Sequence, residues 1–265
     1  MSGSAFDRSD TAAIWRQTAA RRNASFAAAT ERMLTLAGVG PGSRVLELGT
    51  GAGDVAIFAA GRGARVIATD LSEAMLDVAR QAARDAGAED VEFRRMDASA
   101  LGFAAAEFDA VLARQVLMFL PDLPAALAGI RRVLRPGGKL GAIVWGPLAE
   151  NPLQAAIIET ARTPPPGSEM VMAFSLSRER LESAMQRARF HDVSIEKVGG
   201  ESRYLSLAEA LRLMQANPVQ SALFAGLDDA DRARAWAEVE RRLGPYQTEV
   251  GFAAPISVLV AAGTA

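Results

Sequence analysis

Apolar and polar positions follow two rhythms along the chain. Between Thr11 and Leu36 the period is helical. Thr11 is placed to cap one helix running through Arg22, and Ser25 a second running through Ala37. Phe26, Ala29, Met33, Leu34 and Leu36 form the apolar stripe of the second. Residues 1–10 are polar and read as disordered, and Gly40-Pro41-Gly42 ends the helical region. From Arg44 onward short apolar runs alternate with amphipathic stretches. The runs Arg44–Leu48, Arg65–Thr69, Val91–Arg95, Phe108–Ala113 and Lys139–Trp145 predict five strands. Helices are predicted over Asp54–Gly61, over Glu73–Ala86 behind a Ser72 cap, and from Pro121 to about Leu134. Pro136-Gly137-Gly138 turns the chain into the fifth strand.

The second half is less regular. Helices are predicted over Asn151–Ala161, from a Ser177 cap to about Arg189, and over Leu207–Gln215, Pro218–Gly226 and Asp228–Leu243. Asp192–Val198 reads as a sixth strand and Pro255–Ala262 as a last one, with Thr163-Pro164-Pro165-Pro166-Gly167 a rigid surface loop. Regular strand–helix alternation predicts an α/β fold with a parallel sheet covered by helices on both faces. Its crevice belongs at the carboxyl ends of the strands, where strand order reverses.

Composition removes several chemistries. The chain of 265 residues has no cysteine and one histidine, His191, so thiol catalysis, disulfides and a multi-histidine metal site are excluded and no metal is expected. A net charge of −2 gives no general attraction to nucleic acid or anionic lipid. No apolar run approaches the roughly 20 residues of a membrane span, and the amino terminus lacks a signal-peptide core. A cytoplasmic protein with a small-molecule substrate, no nucleic-acid or membrane partner, and an oligomeric state the sequence does not set is the expectation.

Candidate chemistry begins at Val45-Leu46-Glu47-Leu48-Gly49-Thr50-Gly51-Ala52-Gly53-Asp54. A strand, a glycine turn and a helix bring backbone close to a small charged ligand. A dinucleotide needs glycine at the sixth position of G-x-G-x-x-G, and Asp54 stands there. Glu47, two residues before the first glycine, would repel phosphate and favour a cation. S-adenosylmethionine, which carries a sulfonium and an ammonium but no phosphate, fits better. Gly49, Gly51 and Gly53 let backbone approach its methionyl part and sugar. Asp70, ending the second strand, has two oxygens for the ribose hydroxyls. Asp97, ending the third, suits the adenine amine, and Arg114-Gln115 lie beside the reacting methyl.

These blocks resemble the class I S-adenosylmethionine-dependent methyltransferases, and within them the small-molecule branch of ubiquinone and menaquinone biosynthesis enzymes. The matching stretches are V-L-E-L-G-T-G-A-G (45–53), V-I-A-T-D-L-S-E-A-M-L (66–76), F-R-R-M-D-A (93–98), F-D-A-V-L-A-R-Q-V-L (108–117) and V-L-R-P-G-G-K-L (133–140). The resemblance implies a Rossmann-like seven-stranded sheet, mostly parallel, with the last strand antiparallel and inserted between the fifth and sixth, under a helical cap lobe. It implies S-adenosyl-L-methionine as cofactor, contacted at Glu47, Gly49, Thr50, Gly51, Asp70, Leu71, Asp97, Ala98 and Arg114. It further implies three regions: 1–38 as helices covering the site, 39–146 as the cofactor-binding core, and 147–265 as a carboxyl-terminal part holding a substrate lobe (147–176 and 200–250) and the last two strands.

The expected reaction is methyl transfer to a small, largely apolar metabolite at O, N or C. Two departures bear on it. The segment Arg114–Phe119 has none of the histidines many relatives carry, and the D-P-P-Y or N-P-P-Y signature of nucleic-acid amino-methylating enzymes is absent. No catalytic residue is assigned; Arg114 and Gln115 are the weak candidates, set against a plain salt bridge or helix cap. Trp15, Met118, Phe119 and Trp145 are candidates for the acceptor pocket, set against ordinary core packing. Three rivals stay open: an S-adenosylmethionine-binding protein with non-methylating chemistry, a nicotinamide-dependent oxidoreductase, and a non-catalytic sensing module.

Overall fold

A computed structural model describes residues 9–161, 164–165 and 167–265. The strands are β1 (Arg44–Leu48), β2 (Arg65–Asp70), β3 (Val91–Arg95), β4 (Phe108–Arg114), β5 (Leu134–Trp145), β6 (His191–Tyr204), β7 (Gln247–Thr248) and β8 (Gly251–Thr264). They form one sheet in the order β3-β2-β1-β4-β5-β8-β6, with the two-residue β7 paired to β8. β1 pairs in parallel with both β2 and β4, so Val45 faces Val66 on one side and Ala110 on the other. The order therefore reverses between β1 and β4, which fixes the crevice at the carboxyl ends of these two strands. β8 runs antiparallel between β5 and β6, as the resemblance implies.

The helices are α1 (Ser9–Leu36), α2 (Asp54–Gly61), α3 (Glu73–Asp85), α4 (Leu123–Val133), α5 (Pro152–Thr160), α6 (Glu169–Met172), α7 (Arg178–Arg187), α8 (Leu207–Ala216), α9 (Pro218–Ser221) and α10 (Asp229–Leu243). Helices cover both faces of the sheet. On one face Phe26, Ala29, Met33 and Leu34 of α1 pack with Val55 and Ala56 of α2 against Val45, Val66 and Leu112. On the other, Leu127 and Ile130 of α4 and Leu181 and Met185 of α7 pack against Leu46, Val111 and Leu140. A third apolar cluster holds the lobe together, with Leu153 and Ile157 of α5, Leu211 and Met214 of α8, Val239 and Leu243 of α10, and Phe252 of β8.

Several elements differ from the sequence reading, each for a local reason. The two amino-terminal helices are one 28-residue helix. Neither glycine nor proline interrupts residues 9–36, so Ser25 sits mid-helix where a cap was expected. The expectation of disorder at 1–10 lies outside the described residues for 1–8, and the helix already includes Ser9 and Asp10. The helix expected at Pro121 starts at Leu123, because the Asp122 carboxylate accepts the Ala125 N–H at 2.9 Å and caps it. The stretch from Pro218 divides into α9 and a 3₁₀ turn, Ala222–Phe224. The Thr163–Gly167 loop lies partly outside the described residues. Ser72 and Ser177 cap α3 and α7 as read from the sequence.

β6 and β8 are longer than their apolar runs suggest. β5 follows β8 only as far as the Trp145–Val258 pair, whereas β6 and β8 continue together to Tyr204–Phe252. This projecting ribbon carries the lobe past the carboxyl edge of the sheet. Polar residues such as Glu201 and Arg203 on its exposed side hide it from an apolar-run reading.

Candidate functional site

The site is built around the glycine turn after β1. Glu47 is 2 % exposed, and its Oε2 accepts the Thr50 hydroxyl at 2.7 Å. Burial pushes its carboxyl up to about 7, against the Thr50 hydrogen bond and the attraction of Arg114. The Thr50 N–H donates to Thr69 O at 2.8 Å, and the Thr69 hydroxyl returns a bond to Glu47 O at 2.8 Å, so the turn is stitched to β2. Gly49 has φ +60°, and a Cβ there would stand 2.5 Å from Val116 Cγ2, so only glycine fits between β1 and the segment after β4.

Asp70 braces the same turn from the end of β2. Its Oδ2 accepts the Gly51 N–H at 2.8 Å and its Oδ1 accepts the Ser72 N–H at 3.0 Å. Each carboxylate oxygen has further lone pairs. Leu71 beside it is 49 % exposed. Asp97, past the end of β3, is exposed, and its Oδ1 accepts the Ser99 N–H at 2.8 Å and the Ser99 hydroxyl at 2.6 Å. Ala98 is half-buried against the sheet core. Bonds from Glu47, Thr50 and Thr69 on one side and from Asp70 to Gly51 on the other thus brace the same turn, with Gly49 packed at its start, while Asp97 and Ala98 lie one strand further along the same edge.

Arg114 turns under the glycine loop. Its Nη2 donates to Asp54 Oδ2 at 2.9 Å and its Nη1 to the Thr30 hydroxyl at 3.3 Å. The same Asp54 oxygen takes Nη2 and Nε of Arg22, from α1, at 2.7 and 3.1 Å. Burial works to raise the Asp54 carboxyl, yet the two guanidinium groups overcome it and hold it below the ordinary aspartate range. Burial in turn lowers Arg114 from its usual value, with Asp54 opposing. Two cations on one buried carboxylate tie α1, α2 and β4 together.

Sequence reasoning used Asp54 only to argue against a dinucleotide, and it missed Arg22, Asn23 and Thr30. The signal for Arg22 and Thr30 is their α1 face: Trp15, Arg22, Phe26, Thr30 and Met33 recur at helical spacing once the helix is read as continuous, with Asn23 one residue on from Arg22.

The acceptor-side candidates divide. Trp15 lies against the glycine turn, its indole Cδ1 3.7 Å from where a Gly51 Cβ would stand. Trp145, at the end of β5, stacks on Phe174 at 5.4 Å and meets Phe26 edge-on at 5.5 Å. Met118 is buried in the sheet core and Phe119 packs on its margin. Gln115 has φ +61°, and its Oε1 and Nε2 are buried with no protein partner. His191 is exposed and pairs with Asp192 at 2.9 Å, far along β6 from the glycine turn. Among the described residues no group of three His, Cys, Asp or Glu side chains is placed to hold a metal ion, and no helix is long and apolar enough to cross a membrane.

Residues 46–142 match the family model described as a methyltransferase domain. A ubiquinone biosynthesis O-methyltransferase of Hahella chejuensis is 40% identical over 101 residues, 38% of this chain and 42% of that protein. The chain spans about two fifths of the length of the curated relatives it matches. Among solved structures, the YcgJ protein of Bacillus subtilis superposes with a TM-score of 0.61 at 17% identity, covering 89% of this chain and 97% of that one. A Haemonchus contortus phosphoethanolamine N-methyltransferase, solved in complex with S-adenosyl-L-methionine, gives a TM-score of 0.55 at 19% identity, covering 89% of this chain and 51% of that one. The fold is shared with these solved structures.

Proposed function

We propose that this chain, which matches a methyltransferase domain over residues 46–142, is a class I S-adenosylmethionine-dependent methyltransferase that transfers a methyl group to a small, largely apolar metabolite. The observation that carries the reading is the Asp70–Gly51 bond at 2.8 Å. It draws a carboxylate onto the glycine turn, beside a buried acid, Glu47. That acidic, acceptor-rich edge suits a ligand with a diol and a positive charge, and suits a pyrophosphate badly.

In this reading Asp70 receives the ribose hydroxyls. Leu71, half-exposed, packs on the adenine, and Asp97 and Ala98 border its amine edge. Gly49, Thr50 and Gly51 line the methionyl part, and Glu47 supplies negative potential beneath it. Arg114 acts through Asp54, holding the turn in shape. Trp15 closes over the turn from α1, so residues 1–38 serve as a cover, 39–146 as the cofactor core, and the lobe around 147–176 and 200–250 as the acceptor side. Trp145, stacked on Phe174, and Phe119 give that side its apolar wall, and Met118 supports it from the core.

The cofactor supplies a methyl already activated by its sulfonium, attacked in line with the departing sulfur. What the chain adds is orientation and exclusion of water, effects able to supply several kcal/mol of rate acceleration. No histidine stands on the Arg114–Phe119 segment, so the proton of the acceptor leaves without a dedicated imidazole base. A soluble cytoplasmic setting and independence from nucleic acid complete the proposal. Isothermal titration with S-adenosylhomocysteine tests the binding step. Release of S-adenosylhomocysteine during turnover tests the transfer, and turnover without it points to non-methylating chemistry on the same fold.

A further inference from the structure

Among the described residues, four side-chain polar atoms are buried without a hydrogen-bond partner: Gln115 Oε1, Gln115 Nε2, Asn23 Oδ1 and Gln154 Oε1. Leaving such groups unmet is costly, so folds rarely keep them without a purpose. Gln115 carries a second cost. Its φ of +61° is a conformation that side chains other than glycine seldom adopt, and such strain gathers at ligand sites. Both of its neighbours serve the glycine turn: Arg114 reaches Asp54, and Val116 packs on Gly49. The Gln115 carboxamide is the group at this strand end that does not.

We propose that Gln115 is a specificity-determining residue that binds the hydroxyl of a neutral alcohol or phenol as methyl acceptor, an inference that rests on the transferase reading above. The Gln115 N–H donates to Ile143 O at 2.8 Å, two residues before Trp145. Asn23 lies one helical turn before Phe26, whose ring meets Trp145. Asn23 already gives its amide to Asp54, leaving only its oxygen unmet. The Gln115 carboxamide offers one unmet acceptor and one unmet donor side by side, and a hydroxyl can at once accept from Nε2 and donate to Oε1. Arg22 and Arg114 are both bound to Asp54, and the Gln115 carboxamide itself is uncharged, so it matches a neutral acceptor group. The aromatic rings of Phe26, Trp145 and Phe174 suit an apolar body behind the hydroxyl.

The test uses the full chain loaded with S-adenosylhomocysteine and ligand-observed NMR with 4-alkylphenols and benzyl alcohols, set against matched benzoates and benzylamines. The hydroxylated probes bind the wild type in preference, and Gln115→Leu weakens them at least tenfold, on the order of one unsatisfied hydrogen-bonding site. The same substitution leaves S-adenosylhomocysteine affinity unchanged and raises the melting temperature of the unliganded protein by about 2–4 °C, the shift that relief of one unmet group gives in a chain of this size. The proposal is overturned if Gln115→Leu melts lower or fails to fold, if it loses cofactor affinity tenfold, if the probes bind both proteins alike, or if the charged probes bind the wild type better. Failure of the wild type to bind S-adenosylhomocysteine is a separate result, and it strikes the transferase reading itself.

Discussion

Arg22 Nη2 stands 2.7 Å from Asp54 Oδ2, joining a helix that lies over the glycine turn to the first residue of the helix that follows it. Arg114 occupies the same oxygen at 2.9 Å. Asp54 is 5 % exposed, so its removal leaves two guanidinium groups without their anion in a dry site. Asp54→Ala is predicted to cost about 3–5 kcal/mol in urea unfolding, the range for breaking a buried ion pair from one side. Arg22→Ala leaves the Arg114–Asp54 pair intact. Its predicted effect is faster hydrogen exchange along the first half of α1, with the strands of the sheet unchanged. Equal loss of protection in β1 and β4 would contradict the assignment of Arg22 as the fastening of α1.

Gly49 and Gly51 make a graded pair. Both have positive φ, so alanine is strained at either. Only at Gly49 does the new Cβ collide, 2.5 Å from Val116 Cγ2, whereas at Gly51 the nearest atom is Trp15 Cδ1 at 3.7 Å. Gly51→Ala is predicted to cost about 1–2 kcal/mol from backbone strain alone. Gly49→Ala costs more and weakens S-adenosylhomocysteine binding further. Denaturant unfolding of the two variants side by side checks the order; the reverse order would show that the Val116 contact does not shape the turn.

The Glu47 carboxyl, raised by burial to about 7, makes cofactor binding depend on pH. A bound cation favours the ionised form, so affinity for S-adenosylmethionine rises as pH goes from 6 to 8, by roughly tenfold, with proton release visible in buffers of different ionisation heat. Glu47→Gln flattens the profile. Stability of the unliganded protein moves the other way. The folded carboxyl holds its proton more tightly than the unfolded one, so between about 4.5 and 7 the folded state carries more protons. The protein therefore loses stability on that account as pH rises through this window, by on the order of 3 kcal/mol at most. Unfolding midpoints that do not fall between pH 5 and 8 in the wild type relative to Glu47→Gln would refute the burial of this acid.

The sheet core was readable from residues 44–145 because β1, β2, β4 and β5 hold short apolar runs, and β1, β2 and β5 end at or next to glycine or aspartate. Asp70 at the end of β2 and Ser72 as the cap of α3 follow from that punctuation alone. The continuity of α1 was hidden by Ser25, a good capping residue that the sequence places mid-helix. The projecting ends of β6 and β8 were hidden because their partners lie only across one ribbon, where polar residues are tolerated. Within the site, the glycine turn and Asp70 were legible as local motifs. The Arg22–Asp54–Arg114 junction was not, since it joins three positions separated by 32 and 60 residues, and no local pattern encodes such a meeting.

Asp70 carries two loads, and a pair of substitutions separates them. Asp70→Asn keeps an oxygen and a nitrogen at the end of β2 and can still accept one of the two backbone N–H bonds. Asp70→Ala keeps neither. Both are predicted to weaken S-adenosylhomocysteine binding, Asp70→Ala by 100-fold or more, on the order of two lost hydrogen bonds to a charged group. Unchanged affinity in Asp70→Ala, measured by titration calorimetry, would remove this residue from the ribose site.

The central claim is that the turn Gly49–Gly53 seats a phosphate-free nucleoside bearing an amino-acid tail. Titration calorimetry of the wild-type chain with S-adenosylhomocysteine and with NAD measures it most directly. The account predicts micromolar or tighter binding of S-adenosylhomocysteine, about −8 kcal/mol, and binding of NAD at least 100-fold weaker. NAD binding as tight as S-adenosylhomocysteine, or tighter, would contradict it.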